Sequence, residues 1–222
     1  MMKLMAGGAK KSTSPGPRDE RGVLQARILA SARQEFAANG WAGTTIRAVA
    51  RAAEVDPALV YHYFGSKQDL LDSATEPPVK WLESVVAAWA TPRAELGERL
   101  VRNMLAAWSD AEIEPVLRAT LLTAAHDEGI RSKLRTVVER SLIGESTLGI
   151  DEEDRLRRSG LIASQLIGLA MLRYIWRIEP VASMSDAEVV TAVAPNIQRY
   201  IEADLSVLPE SAGTAVPGDG PV

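Results

Sequence analysis

The 222-residue sequence contains no cysteine and only two histidines. The lack of cysteine excludes disulfides and thiolate chemistry, and it suits a reducing compartment. Because His62 and His126 are the only histidines in the sequence, a histidine-rich metal site is not expected. Long apolar runs are also lacking, since Gln165, Arg173 and Arg177 interrupt residues 161–178, the most apolar stretch. This stretch predicts a buried helix rather than a membrane span, and we expect a cytoplasmic protein with no membrane partner.

The sequence also lacks the residue patterns of catalysis. It has no Ser-His-acid spacing, no glycine-rich phosphate loop and no cluster of metal-ligand residues. Adjacent acids occur at residues 127–128 and 151–154, but they stand where helices are expected to begin, and the helix dipole favours acids there. We therefore predict that the chain is not an enzyme and uses no cofactor or metal.

The net charge of −4 is unevenly distributed along the chain. Residues 1–75 carry ten basic and seven acidic side chains, a net charge of +3, and the remainder carries fifteen and twenty-two, a net charge of −7. A basic N-terminal part on an acidic protein fits a module that faces phosphates, joined to a part that does not touch nucleic acid.

Residues 44–71 predict two short helices and the start of a third. The first carries apolar residues at helical spacing from Ile46 to Ala53, with Thr44 or Thr45 as its N-terminal cap. Asp56 is expected to cap the second helix, residues 57–64, which opens with Pro57. Ser66 is expected to cap the third. Two short helices joined by a tight turn are the geometry of a helix-turn-helix.

Three segments in this stretch, TTIRAVA, VYHYF and GSKQDLL, occur in the order and spacing of a known family. They resemble the DNA-binding domain of the TetR family of bacterial transcriptional repressors, over about residues 25–71. The resemblance implies that residues 57–64 enter the DNA major groove and that the protein binds pseudo-palindromic sites as a homodimer. It also implies a small-molecule pocket in a helical C-terminal domain.

The predicted DNA-contacting residues either offer polar groups to phosphates or stand near the start of the second helix, where base edges are read. Tyr61 and His62 are predicted to meet phosphates, whereas Arg47 is the residue best suited to a guanine. The full set is Thr44, Thr45, Arg47, Asp56, Pro57, Ala58, Leu59, Tyr61, His62 and Lys67.

Two residues depart from the family pattern. Glu54 stands in the turn where family members usually have glycine, and a positive φ there would strain it. Leu59 stands where family members often carry a small polar residue. Because of these two departures, the resemblance does not indicate which DNA sequence the protein recognises.

Beyond residue 71 the apolar pattern stays helical to about residue 205. We predict an all-α fold with an N-terminal three-helix helix-turn-helix DNA-binding domain and a C-terminal helical ligand-binding and dimerisation domain. The predicted boundaries are a disordered tail at 1–21, the DNA-binding domain at 22–75, the helical domain at 76–205 and a second disordered tail at 206–222. The first helix is expected at residues 22–39, and one helix kinked at Pro77 and Pro78 is expected to join the domains.

The long helix predicted at residues 151–178 is apolar nearly all round, so it should be buried on all sides. We expect a second copy of the chain to cover it, with residues 185–204 completing a four-helix interface. An apolar or aromatic effector is expected among large side chains and a few polar groups of this domain. The candidate residues are Trp81, Met104, Trp108, Arg118, His126, Met171 and Tyr174.

The sequence thus favours a homodimeric repressor that a small molecule releases from DNA. An activator of the same architecture remains open. The alternative from another class is a dimeric ligand-binding or interaction protein whose helix-turn-helix no longer reads DNA.

Overall fold

A computed structural model describes residues 17–88, 90–141 and 151–205. These residues form α-helices and no β-strand, which confirms the all-α prediction. The helices are α1 (Pro17–Gly43), α2 (Ile46–Ala52), α3 (Pro57–Phe64), α4 (Lys67–Ala74), α5 (Val79–Ala88), α6 (Leu96–Ser109), α7 (Glu114–Ala124), α8 (Glu128–Ser141), α9 (Glu152–Ala170) and α10 (Asp186–Glu202). The predicted tail at 206–222 and most of the predicted tail at 1–21 lie outside the described residues.

The chain divides after Glu76 into two compact units. The N-terminal unit holds α1 to α4, in which α1 packs against α2 and α4. Ile28, Phe36 and Val60 are fully buried in its core. The Nε atom of Arg33 donates a hydrogen bond to the Ala74 carbonyl at 3.2 Å and so links α1 to the end of α4.

Two predicted helix boundaries in this region are wrong. Helix α1 begins at Pro17 instead of residue 22, since proline fits the first turn of a helix, where its missing N–H is not needed. The single helix expected through Pro77 and Pro78 is two helices, because α4 ends at Ala74 and α5 begins at Val79. Each proline removes a helical hydrogen bond and also disfavours helical geometry in the residue before it.

The core of the C-terminal unit lies among α6, α9 and α10. Leu96, Ile162, Val189 and Ile197 are fully buried there. In the single chain, the side of helix α9 that holds Leu156 is open, and this residue is 37% exposed. The helix passes into a π-helical turn at Met171–Ile175. The single helix predicted over residues 151–178 is therefore too long.

A buried arginine of α9, Arg158, binds the C-terminal end of α10. The Arg158 guanidinium, 6% exposed, donates to the carbonyls of Tyr200 at 2.7 Å and Ala203 at 2.9 Å. It also pairs with Asp154 at 2.8 Å. Because the last carbonyls of a helix lack helical partners and carry partial negative charge, a cation stabilises the end of α10.

Helices α6 and α10 approach each other most closely at Gly97. A Cβ atom on this residue would lie 2.7 Å from the Gln198 nitrogen and 2.8 Å from the Ala194 oxygen, both backbone atoms. The Gly97 N–H donates to the Gln198 Oε1 atom at 2.8 Å. The crossing therefore requires glycine.

We expect Gly97→Ala to lower the free energy of unfolding by about 1–3 kcal/mol, because the added methyl group forces α6 and α10 apart. Urea unfolding followed by circular dichroism measures the change. The matched control is Gly22→Ala, where a Cβ would meet nothing within 4 Å in α1, and it should be neutral or stabilising. Equal effects of the two substitutions would contradict the close crossing.

Candidate nucleic-acid interface and ligand cleft

Local hydrogen bonds set the helix-turn-helix. The Thr45 hydroxyl caps α2 by accepting from the Ala48 N–H at 3.1 Å. After α2 the chain reverses, and the Val55 N–H donates to the Ala50 carbonyl at 2.9 Å. The Asp56 carboxylate then caps α3 by accepting from the Ala58 N–H at 2.7 Å. These caps satisfy N–H groups that would otherwise lack partners, so the sequence itself defines both helix starts.

The inner and outer faces of this pair of helices differ. Val49, Ala53 and Val60 are buried between the helices and the rest of the N-terminal unit. The outer face carries Tyr61, whose side chain is 53% exposed, and His62, which is also exposed. Burial of one face thus presents the polar aromatic groups of α3 to the solvent.

The predicted DNA-contacting residues fall into three groups by exposure. The exposed ones are Thr45, Arg47, Asp56, Ala58, Tyr61 and His62. Three others, Pro57, Leu59 and Lys67, are half-buried, and Thr44 is buried.

Thr44 does not fit its predicted role as a phosphate contact. It is 1% exposed, and its hydroxyl donates to the carbonyls of Gly40 at 2.8 Å and Glu35 at 3.0 Å. It fixes the chain after Gly40, whose φ of 63° breaks the regular helix. Thr44 and Thr45 are the same residue type, and only their different contacts in the fold separate their roles.

Lys67 makes an internal contact that the sequence does not reveal. Its ammonium donates to the Trp41 carbonyl at 2.5 Å and lies 4.1 Å from the centroid of the Trp41 ring. Partial burial lowers the pKa of Lys67 below its usual value. The contact ties the start of α4 to the last residues of α1, beyond the break at Gly40. A phosphate contact by Lys67 stays a prediction.

Arg51 was missed by the sequence reasoning. It is exposed in the last turn of α2, four residues after Arg47, so the two guanidinium groups lie on one side of the helix. Neither makes a hydrogen bond or ion pair with another residue of the described part of the chain. The i, i+4 spacing of two arginines was the signal for this cationic surface.

Glu54 occupies the turn with a φ of 53°, in the left-handed region. Its side chain is exposed. A residue with a Cβ atom is strained in this region, whereas glycine is not. The strain expected from the sequence is therefore present in the backbone.

We expect Glu54→Gly to raise the free energy of unfolding of the N-terminal unit by about 1 kcal/mol, because it relieves the left-handed strain. The matched control is Glu54→Ala, which removes the carboxylate but keeps the Cβ atom and should have little effect. Thermal and urea unfolding of the three proteins measure the difference. Equal stability of the glycine and alanine variants would show that the turn is not strained.

The C-terminal unit contains a cleft of about 740 Å³. It is lined by Arg118 of α7, by Arg173 and Tyr174 of the π-helical turn, and by residues of the following segment. That segment contributes Arg177, Glu179 and Ser183 to the lining. The volume lies in the range of small-molecule sites.

Tyr174, which lines the cleft, is one of two stacked aromatic rings. The Trp108 and Tyr174 rings lie parallel with centroids 4.8 Å apart. Arg118 lies 5.7 Å from the Trp108 centroid, and Arg173 lies 5.5 Å from the Tyr174 centroid. Burial raises the pKa of the Tyr174 phenol above its usual value. Each ring of the stack therefore has a guanidinium group within about 6 Å of its centroid, a distance at which a cation and an aromatic ring attract each other.

The predicted ligand residues only partly coincide with this cleft. Arg118 and Tyr174 line it, and Trp108 supports Tyr174 from behind. The others do not line it: Met104 packs against the core, His126 is exposed beyond the end of α7, and Trp81 and Met171 are half-buried elsewhere. Arg177, Glu179 and Ser183 were missed, because no pattern in the sequence showed that the segment before α10 folds back beside α7.

No described helix is long and apolar enough to cross a membrane. The described residues also contain no group of three or more acidic or histidine side chains that could hold a metal ion.

Two family models match the chain. Residues 28–74 match the model described as bacterial regulatory proteins of the tetR family. Residues 94–201 match the model described as the tetracyclin repressor-like C-terminal domain. The first match contains the helix-turn-helix, and the second contains the cleft and helices α6 to α10.

Curated relatives match over part of the chain. The HTH-type transcriptional regulator BetI of Paraburkholderia phymatum is 30% identical over 116 residues, which are 44% of this chain and 59% of the relative. BetI of Burkholderia thailandensis is 27% identical over 117 residues, 44% of this chain and 60% of the relative. The match therefore spans less than two thirds of the length of these relatives.

Solved structures match over most of the chain. A TetR-family regulator from Streptomyces coelicolor A3 is 29% identical, with a TM-score of 0.59 over 85% of this chain and 99% of that one. A TetR-like transcriptional regulator from Rhodococcus sp. RHA1 is 18% identical, with a TM-score of 0.57 over 85% and 96% of the two chains, and it shows the fold. Members of this family are DNA-binding transcription factors and not enzymes. The chain belongs to the TetR family of transcriptional regulators.

Proposed function

We propose that this protein is a homodimeric repressor that binds a pseudo-palindromic operator and is released from it by a small molecule. The observation that carries the proposal is the exposed polar face of the helix-turn-helix. Tyr61 and His62 on α3 and Arg47 and Arg51 on α2 face the solvent there. Each residue offers a donor that suits a phosphate or a base edge.

The proposed DNA contacts divide by chemistry. Tyr61 and His62 meet phosphates and set the position of the duplex, whereas Arg47 reads a guanine through its two parallel donors. Ala58 and Leu59, at the first turn of α3, stand where this motif approaches the bases, and their apolar groups fit a thymine methyl. Arg51 adds a phosphate contact.

The outer surface of α9 supports the proposed dimer. Gly160, Ser164 and Gly168 are spaced four residues apart on one side of the helix, and a Cβ at either glycine would meet nothing within 4 Å. Small residues let a second helix approach closely. The partly exposed apolar side chains of Leu156 and Leu161 on the same helix are available to be covered by a second copy. A C2 dimer buries the same surface on both chains.

Release from DNA then follows from two dimer states. The operator-binding state sets the two α3 helices to enter successive major grooves, which lie about 34 Å apart. A ligand that binds the other state more tightly shifts the population away from DNA. The C-terminal unit provides a cleft for such a ligand.

We expect Arg47→Gln to weaken duplex binding by about tenfold or more, because a bidentate base contact is worth about 1–3 kcal/mol. Tyr61→Phe should weaken binding by a smaller factor, about three- to tenfold, since it removes one hydroxyl and leaves the ring in place. Fluorescence anisotropy of a labelled duplex that carries a sequence selected from a random library, titrated at several salt concentrations, measures both losses.

The matched control for these variants is Arg99→Gln, which removes an exposed arginine of α6 in the other unit. It should bind DNA as the parent protein does. If Arg47→Gln and Tyr61→Phe also leave binding unchanged while the protein remains folded, the exposed face of α3 is not the DNA-binding surface.

We expect Gly160→Phe to convert the dimer to a folded monomer, because the open space beside Gly160 is then filled by a ring that blocks the second chain. Light scattering coupled to size-exclusion chromatography at micromolar concentration measures the mass, and circular dichroism checks the fold. Ala106→Phe, at an exposed position of α6, is the control and should stay dimeric. A monomeric parent protein would contradict the proposed dimer directly.

The second candidate function is a dimeric ligand-binding or interaction protein whose helix-turn-helix has lost DNA reading. The strained Glu54 turn is the observation that favours it. This candidate predicts weak duplex binding that does not depend on sequence and does not change in Tyr61→Phe. The variant titrations therefore separate the two functions.

A further inference from the structure

The cleft of the C-terminal unit is lined by more cations than anions. Arg118, Arg173 and Arg177 contribute guanidinium groups, and Glu179 contributes the one lining carboxylate. The sequence led us to expect an apolar or aromatic effector, which does not account for three arginines at one site. A ligand anion pairs most strongly with a guanidinium group that no neighbouring acid already neutralises.

Two of the three arginines are already neutralised by neighbouring acids. The Arg118 Nε atom lies 2.5 Å from the Glu114 carboxylate. The Arg173 Nη2 atom lies 3.0 Å from the Asp186 carboxylate. Both arginines therefore shape the wall, but neither offers an uncompensated charge.

Arg173 makes that wall rigid. Its Nη1 atom donates to the carbonyls of Val181 at 2.9 Å and Met184 at 2.6 Å, which holds the segment before α10 against the π-helical turn. Its side chain is only 10% exposed. Its Nε atom is buried and has no hydrogen-bond partner among the described residues. A buried donor without a protein partner is rare, and a bound water or ion can satisfy it.

Arg177 differs from both. It is exposed, and its guanidinium makes no hydrogen bond or ion pair with another residue of the described segments. Its backbone has a φ of 53°, which is strained for a residue with a Cβ atom. It lies two residues after the π-helical turn, and irregularities of both kinds are concentrated at binding sites. The fold thus places one uncompensated cation at the rim of the cleft.

The remaining lining groups set the rest of the ligand chemistry. Tyr174 is half-buried beside the arginines, with its ring held against Trp108. The Glu179 carboxylate accepts from the Ser183 hydroxyl at 2.5 Å and would repel a second negative charge. One free cation, one repelling carboxylate and a half-buried aromatic ring fit a ligand with a single negative charge and an apolar body.

We infer that this cleft binds a small monocarboxylate, with the Arg177 guanidinium gripping the carboxylate through two parallel hydrogen bonds. Arg173 and Arg118 orient the site, and the apolar body of the ligand lies along Tyr174. Binding to the cleft is a property of the C-terminal unit alone. Its consequence, the release of DNA, rests on the proposed repressor function.

Isothermal titration calorimetry with benzoate and octanoate tests the inference, with benzamide and octanamide as neutral analogues of the same shape. At least one carboxylate should bind, and its amide should bind about tenfold more weakly or not at all, because a charge-assisted pair with arginine is lost. Equal affinity for acid and amide, or no binding of either acid at millimolar concentration, would overturn the proposal.

Variants at Arg177 locate the site. Arg177→Gln should weaken carboxylate binding by about tenfold, and Arg177→Lys should recover part of the loss, because lysine keeps the charge but not the planar fork. Arg177→Gly removes the same charge while relieving the backbone strain, so an equal loss in Arg177→Gly and Arg177→Gln shows that the charge, and not a disturbed backbone, is responsible. Arg99→Gln is the matched control and should bind as the parent does. Unchanged binding in Arg177→Gln and Arg177→Gly would exclude this residue as the anchor.

A separate titration of the protein with duplex DNA distinguishes failure of the cleft proposal from failure of the proposed repressor function. If the carboxylate binds and also lowers duplex affinity, both the cleft and the repressor function are supported. If it binds but the protein shows no sequence-dependent duplex binding, the cleft stands and the proposed function fails. If duplex binding is intact but neither acid binds, the cleft proposal alone fails.

Discussion

The apolar contact between α2 and α3 is the constraint on which the proposed DNA-facing surface depends. Helix α3 has eight residues, too few for a stable isolated helix in water, so packing must hold it. Val49, Ala53 and Val60 exclude water from one side of the pair, and the exposed groups of α3 are fixed on the other side. A small buried surface thereby decides where Tyr61 and His62 point.

In the C-terminal unit, arginines form hydrogen bonds to backbone carbonyls at the two ends of α10, where the apolar core makes no such bonds. Arg158 binds the last carbonyls of α10, and Arg173 holds the segment that precedes the same helix. Both ends of α10 are therefore attached to α9 or its continuation. This arrangement explains how a segment with irregular backbone geometry stays ordered next to a cleft, and it leaves Arg177 as a charge available for binding.

Local chemistry made much of the fold predictable from the sequence. The caps at Asp56 and Ser66 form as expected, because each side chain accepts from an N–H within the next three residues. Contacts between distant parts of the chain were not predictable. The burial of Thr44 depends on the turn after α1, and the Lys67 contact joins residues 26 positions apart.

The candidate site was predicted unevenly for the same reason. The exposed face of α3 follows from helical periodicity, so Tyr61 and His62 could be assigned from the sequence. The cleft arises where the irregular segment from Met171 to Ser183 meets α7, and no periodic pattern marks that meeting. Large apolar residues such as Met104 indicated a pocket, but they fill the core instead.

The central claim is that two copies of the chain present two α3 helices to one duplex. Selection of bound sequences from a random duplex library at physiological salt tests it most directly. The account predicts enrichment of a near-palindrome whose half-site centres are about one helical turn, or a multiple of it, apart. A bound population without enrichment, or an enriched single half-site without symmetry, would contradict it.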